Sequence, residues 1–442
     1  MHEPSPPTPP RSGRQPQPAV APTGVPLSRR IAVVGAGLAG VTTAYELAAQ
    51  GARVQVFERG GSVAEQASFA CSALLAPALP GLVEPEGSAP MGFRLRRWRV
   101  GAKVGEAASQ LAALGQLSMA RTIALRQDLG LDDEPASGLL VALADAKRTA
   151  AFDTRLAAWR ALGLTAERLE AGEARLREPG LNPDAPLTAA LALPGGGVGN
   201  PRLFTQQLRQ QAQKLGAAFR FHTTVRGIST DGSGLMLRHE HTPPMEAPTR
   251  NIERAAGDTV PQPLGSQDER FDAVVLCNGL GALDLLGQRL PLAARHEASV
   301  TAPLRLLEAH PDLGPKAGWL DPSRGIAVAR IGQRVRITGG LAVTDAGGRY
   351  APDFEALHRA LQHWFPGSVL HQQVQQGSSR RALAADGLPL LGATPRAGVW
   401  LNLSPGGLGW GLACGAAQVL AQQMLGGTPA LDISALGPQR LA

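Results

Sequence analysis

Arg30-Ile31-Ala32-Val33-Val34-Gly35-Ala36-Gly37-Leu38-Ala39-Gly40 is the stretch of this 442-residue chain from which its fold can be read. Four apolar residues with β-branching at Ile31, Val33 and Val34 predict a buried strand. Gly35 to Gly40 then satisfy the GxGxxG spacing. Val41, Ala44, Leu47 and Ala48 recur at helical intervals up to Gln50, and Gly51 stands where a helix stop is expected. Val54-Gln55-Val56-Phe57 predicts a second strand, ended by Glu58. Alone, GxGxxG is a weak signal; between a strand and a helix, with an acid closing the next strand, it predicts a dinucleotide site. The first glycine allows a tight turn, the second a close approach of backbone to pyrophosphate, and the third close packing of helix on strand. The helix start offers unpaired N–H groups to the phosphates. Glu58 has the position of a carboxylate that accepts hydrogen bonds from ribose hydroxyls, which disfavours a 2′-phosphate there.

The other end of the chain separates flavin from nicotinamide. Val399-Trp400-Leu401-Asn402-Leu403 predicts a strand, Ser404 to Trp410 a Gly-rich turn, and Gly411 to Met424 a helix. This second strand–glycine–helix unit lacks GxGxxG. It suits a helix start directed at a flavin ring, where its dipole favours the negative charge of the reduced state. The cofactor read from both ends is FAD. Its expected contacts are Gly35, Ala36, Gly37, Leu38, Gly40, Glu58, Arg59, Ser68, Val225, Gly279, Gly406, Gly407, Leu408 and Gly409.

Composition narrows the class. Hydrophobic residues make up 44% and charged residues 18%, as in a soluble globular protein, and the length predicts two lobes. The net charge of +7 is compatible with an anionic cofactor and substrate, a membrane surface or nucleic acid, and does not choose among them. Cys71, Cys277 and Cys414 are too scattered for a disulfide framework or a zinc site, and fit a reducing compartment. No run reaches the roughly 20 apolar residues of a membrane span. Residues 1–28 read as a disordered Pro-rich tail, and the location expected is the cytoplasm. Between the ends, helices are expected near Gln110–Leu129 and Ala144–Leu162. Another starts at an Asn200 cap with Pro201 in its first position. His239–Arg270 reads as a polar, mobile loop insertion, Phe271–Leu276 as a buried strand, and Ile326–Arg330 with Arg334–Thr338 as a hairpin.

These residues together resemble the D-amino-acid dehydrogenase branch of the FAD-dependent, glycine oxidase-like oxidoreductases. The motifs that carry it are Ile31–Gly40, Ala67-Ser68-Phe69-Ala70, Phe271–Gly279 and Arg334–Gly340. Arg381 with Asp386-Gly387-Leu388-Pro389 and the stretch Gly406–Gly415 complete the set. The resemblance implies an α/β (α+β) protein with a Rossmann-like FAD-binding domain and a second, mixed-sheet substrate domain. On that basis 29–105, 200–290 and 380–442 form the FAD-binding domain, and 106–199 with 291–379 the substrate domain. It also implies hydride transfer from an amino acid, a D-amino acid first, to flavin N5. The imino acid so formed becomes a 2-oxo acid and ammonia, and the electrons pass to a membrane acceptor, as in the family's dehydrogenases.

Arg381 matches the family's carboxylate-binding arginine, a role that suits the planar guanidinium fork. Arg380 is its rival. The chain departs from the family in three places. Asn-Ala-Gly after Ser-Phe-Ala is Cys71-Ser72-Ala73, and Lys-Gly-Tyr-Ser is His296-Glu297-Ala298-Ser299. Gly377 and Ala382 replace the tryptophan and proline that flank the arginine. His296 is a candidate polar contact in the missing tyrosine's place, and Cys71 a small packed residue beside the flavin. A basic run, Arg94 to Lys103, follows the apolar Leu74–Val83 passage and suggests peripheral docking on an anionic membrane, against a plain solvated face. No DNA contact is expected. Two further readings stay open: oxidation of a carboxymethylaminomethyl group on tRNA, and a flavin-binding module without catalysis.

Overall fold

The structure, a computed structural model, describes residues 29–76, 104–232, 234–243, 264–287, 290–308, 310, 313–403 and 409–441. The opening stretch forms β1 (Arg30–Val34), α1 (Leu38–Ala49) and β2 (Arg53–Phe57). β1 lies at the centre of a six-stranded sheet, with parallel neighbours on both sides, β2 and the Ala273–Leu276 strand. Val399–Leu403 extends the sheet in parallel beyond Ala273–Leu276, Leu390–Ala393 closes that edge antiparallel, and Ala218–Arg220 adds to β2.

Side-chain alternation along β1 explains why its run is apolar throughout. Ile31 and Val33 pack with α1, with the Pro201–Lys214 helix and with the C-terminal helix Trp410–Met424. Ala32 and Val34 enter a separate cluster with Leu235, Leu237 and Phe271 on the other face. A parallel strand covered on both faces has no position for a polar side chain. That second cover is a three-stranded antiparallel sheet, Thr223–Asp231, Gly234–His241 and Leu264–Phe271.

This sheet corrects the reading of His239–Arg270 as one loop. His239 to His241 and Leu264 to Arg270 are strand, with His239 opposite Gln267 and Arg238 opposite Asp268. The polar composition that suggests a loop belongs to a solvent-facing ribbon in which Arg238 pairs with Asp268 and Arg226 with Glu240. The buried strand likewise starts at Ala273, because Phe271 ends the preceding one. Residues 244–263 and the 1–28 tail lie outside the described residues.

The second large sheet has eight strands. Their order is Gln375–Ala384, Leu292–Pro303, Arg334–Thr344, Ile326–Ile331, Gly318–Asp321, Leu139–Leu143, Ala189–Ala192 and Glu167–Glu170. The expected hairpin is present, with Ile331 opposite Arg334. The Asn200 side chain caps the Pro201–Lys214 helix by accepting from the Leu203 amide at 3.2 Å. One face of the sheet packs Ala298, Val300, Val328, Val335 and Ile337 beneath the Phe354–Trp364 helix. The opposite face is apolar at Leu139, Val141 and Ala329 but polar across its first three strands.

The Val104–Leu129 helix, expected with the second lobe, lies instead along the Trp410–Met424 helix. Leu125 joins the core around β1, and a Cβ on Gly415 would stand 2.8 Å from the Ser118 backbone, so only glycine permits this approach. Leu74, Leu75 and Ala76 are buried, which withdraws the start of the apolar passage from any membrane surface. Its remainder and the basic run Arg94–Lys103 lie outside the described residues. Among the described residues no helix is long and apolar enough to cross a membrane.

Glu178 supplies a pH-dependent element of this architecture. Its buried carboxylate accepts from the amides of Lys316 at 2.9 Å and Ala317 at 3.3 Å, ahead of the Gly318–Asp321 strand. Burial outweighs those bonds and raises its pKa to about 7. The folded form therefore holds a proton that the unfolded chain releases above the ordinary value of 4.5, so ionising Glu178 costs stability as pH rises from 4.5 to 7. Glu178→Gln, which keeps an acceptor oxygen, should gain stability relative to wild type across that interval, by on the order of 2–3 kcal/mol at its upper end. Urea unfolding of both proteins at several pH values checks this; a difference independent of pH refutes it.

Candidate functional site

The turn after β1 is built around a contact that has no room for a side chain. A Cβ on Gly40 would lie 1.8 Å from the Gly35 carbonyl oxygen, and Gly35 itself has a φ of +100°. Its amide donates to the Phe57 carbonyl at 2.8 Å, which fixes the turn over the end of β2. Gly37 is the N-cap of α1 and has no side chain to satisfy the first helical amides. The Ser68 hydroxyl accepts from the Leu38 amide at 3.0 Å. Glu58 accepts from the Ala36 amide at 2.7 Å and the Gly60 amide at 2.8 Å. An ionised carboxylate has about four acceptor positions, so two backbone donors leave capacity for ribose hydroxyls. A cradle that a Cβ would fill, a helix start with no capping side chain at its N-cap and a fixed carboxylate fit the adenosine diphosphate part of FAD.

The structure thus brings Gly35, Ala36, Gly37, Leu38, Gly40, Glu58 and Ser68 around one helix end. Asn278, beside Gly279, reaches the same turn, since a Cβ on Gly35 would meet its Cα at 3.1 Å. Arg59 is exposed and donates to Gln66 at 2.7 Å. Val225 stands at a bulge on the covering ribbon. Gly409 caps the Trp410–Met424 helix, which lies against α1 through Thr42 and Ala413. Gly406, Gly407 and Leu408 fall outside the described residues.

Arg381 lies on the other sheet, and the Ser68–Cys71 segment joins the two places. Ser68 touches the start of α1, whereas Arg336 donates to the Cys71 carbonyl at 3.3 Å and its guanidinium lies 5.8 Å from the Phe69 ring centroid. Register explains what surrounds Arg381. Arg295 on the Leu292–Pro303 strand pairs with Arg381, Glu297 with Ser379, and Thr301 with Arg336. Cross-strand partners share a face. Arg295, Glu297, Ser299, Thr301, Arg336, Thr338 and Ser379 are therefore a buried polar surface, continuous with Arg381.

Its charges are ordered. Arg381 forms an ion pair with Glu297, and its side chain is only 10% exposed. Arg380 projects from the opposite face and is exposed, which favours Arg381 over its rival. Arg336 donates from Nε to the Thr301 hydroxyl at 3.0 Å. Burial lowers the pKa of Arg295 to about 10, with the neighbouring Arg381 pushing the same way and Glu297 opposing. Burial also pushes the Cys71 thiol up, which disfavours its thiolate.

His296 does not join this surface. It is on the apolar side of its strand, bonded to the Thr344 hydroxyl at 2.9 Å and stacked on Tyr350 at 4.9 Å. Burial lowers its pKa, with Arg380 adding to the shift. Tyr350, whose hydroxyl donates to the Gly340 carbonyl at 2.7 Å, stands close enough to Glu297 for that charge to help raise its own pKa. Arg295, Glu297 and Arg336 on this surface, and Tyr350 on its reverse side, are residues that sequence reasoning misses. The signal for three of them is present: charged or polar residues at every second position of strands otherwise apolar.

The chain is similar to known proteins in sequence and in fold. The family model described as FAD dependent oxidoreductase matches residues 30–423. A D-amino acid dehydrogenase of Cereibacter sphaeroides is 29% identical over 93% of this chain and 95% of its own length. The enzyme of the same name from Rhizorhabdus wittichii is also 29% identical, over 93% of this chain and all of its own. Glycine oxidase from Geobacillus kaustophilus superposes with a TM-score of 0.69 at 22% identity, covering 94% of this chain and 99% of that one. L-proline dehydrogenase from P. horikoshii gives 0.69 at 16% identity, covering 94% and 98%.

Gly40→Ala tests the turn directly. The added methyl must push α1 off β1, so the purified variant should lose FAD, with an absorbance ratio at 450 to 280 nm falling at least about tenfold at equal protein, beyond what ordinary helix propensity would cause. A yellow variant with wild-type FAD content refutes the assignment.

Proposed function

We propose, from the premise that this chain belongs to the FAD dependent oxidoreductase family, that it oxidises an amino acid at Cα and that the substrate has the D configuration. The observation that carries the reading is the junction between the two places. A nucleotide turn fitted to FAD and a buried arginine surface are linked by four consecutive residues, Ser68 to Cys71. The curated relatives bear the name D-amino acid dehydrogenase, which supports the D series.

FAD, when bound, supplies the acceptor for the two electrons and the hydrogen leaving Cα, and water converts the resulting imino acid to a 2-oxo acid and ammonia. The residues of the chain provide position and electrostatics. Arg381 is the proposed anchor for the substrate carboxylate. A guanidinium presents five donors, more than one carboxylate can take, so its pair with Glu297 serves to orient it. The sheet carries the apolar cluster beneath the Phe354–Trp364 helix on its reverse face, which stiffens the strands bearing the arginines. The six-stranded lobe is proposed as the FAD-binding domain and the eight-stranded sheet as the substrate domain. An acceptor other than oxygen is proposed for the electrons, as the relatives' name supports.

Removing Arg381 alone would strand Glu297 as a buried charge, at a cost of about 3–5 kcal/mol in stability. The informative protein is therefore Arg381→Met with Glu297→Gln. It should stay yellow and folded, while the KM for a D-amino acid rises roughly 10- to 100-fold with a smaller change in kcat. An unchanged KM removes Arg381 from the site. With the wild-type holoenzyme reduced anaerobically by substrate, a soluble quinone should reoxidise it at least about tenfold faster than air-saturated buffer, because acceptor choice is a difference in barrier. Faster reaction with oxygen would make it an oxidase.

A further inference from the structure

Arg295 is 1% exposed, and its Nε and Nη2 have no hydrogen-bond partner. The other guanidiniums of the polar face are held: Arg381 by Glu297, Arg336 by Thr301 and the Cys71 carbonyl, and Arg334 by the Thr301 and Gln373 carbonyls. A buried cation with unused donors is costly unless something anionic completes it. Arg295 and Arg381 are cross-strand partners on one face, so whatever anchors at one lies beside the other.

The charge balance says what kind of molecule completes the site. Among the described residues, Glu297 is the one carboxylate that acts on both Arg295 and Arg336, and it is already bound to Arg381. Arg295, Arg336 and Arg381 against Glu297 leave these four side chains with an excess of two positive charges, and Arg334, two residues from Arg336 on the same strand, adds to it. A neutral amino acid brings one carboxylate and one ammonium and leaves that excess unchanged. An amino acid with a second carboxylate reduces it by one, and has a group for each of Arg381 and Arg295. We propose that Arg295 is a second anion-binding residue of the amino-acid pocket and that the preferred substrates are amino acids whose side chain ends in a carboxylate. This rests on the amino-acid reading above and narrows it.

The experiment uses the FAD-loaded enzyme, reduced anaerobically by D-aspartate, D-glutamate, D-alanine and D-valine in turn. The acidic pair should show kcat/KM at least about tenfold above the neutral pair, since a site built for a polar group discriminates against ligands that lack it. Arg295→Met should lower that value for D-aspartate and D-glutamate by roughly 10- to 100-fold and leave D-alanine within about threefold. Should that variant not fold, Arg295→Lys and an equilibrium titration serve instead. Malonate should perturb the flavin spectrum of the wild type and compete with substrate at lower concentration than acetate; equal potency overturns the proposal. So does a wild-type preference for D-alanine or D-valine, which leaves the amino-acid reading standing. If Arg295→Met slows all four substrates alike and shifts the flavin potential, Arg295 serves the cofactor and the proposal fails. Silence from all four overturns it together with the amino-acid reading.

Discussion

The contact between Gly40 and the Gly35 carbonyl is the constraint on which the nucleotide end of this molecule depends. It allows no Cβ, and so brings the first turn of α1 against β1. A helix start that close to the strand end presents its free amides where a pyrophosphate would lie, and the dipole reinforces their charge. Nearly every other feature of that end follows from holding the helix there. β1 must be apolar on both faces, Glu58 must end β2 within reach of the Ala36 amide, and the C-terminal helix must be narrow enough at Gly415 to pack alongside.

The second half of the site depends on pairing rather than on a turn. A single face of three neighbouring strands carries Arg295, Glu297, Ser299, Thr301, Arg336 and Arg381, all sheltered from solvent. Register places these residues together although they lie up to 86 positions apart, from 295 to 381. The Ser68–Cys71 segment then joins this face to the helix start by two short contacts, one at each end. A displacement of that segment would move both ends of the site at once.

What can be read from sequence divides along the same line. The turn, the strand before it and the acid after it are local in sequence, so spacing alone locates them, as it does the Asn200 cap and the hairpin at Gly332. The arginine surface is made by long-range pairing. Arg381 is legible only through resemblance, and Arg295 only as one charge in an alternating strand, because a strand such as Leu292–Pro303 does not reveal which neighbour will face it. The expectation for His296 fails for the same reason: one position along a strand inverts the side on which a residue lies. The polar ribbon at His239–His241 and Leu264–Phe271 reads as a loop because one of its faces is solvated, and charge there imitates loop composition.

The pair between Arg381 and Glu297 shows how the arginine proposed to bind the substrate can be kept buried before its ligand arrives. An isolated guanidinium in that position would favour unfolding or would turn toward water. A built-in carboxylate holds it in place, and Arg295 beside it resists full neutralisation, since one glutamate serves three cations. The surface therefore keeps a standing attraction for anions without losing its order. His296 and Tyr350, stacked on the reverse side, add no compensating positive or negative charge there while both stay neutral, as the directions of their shifted pKa values favour. On the proposal that Arg295 binds a second anion, selectivity there is a matter of how many negative charges the incoming molecule brings, before its shape.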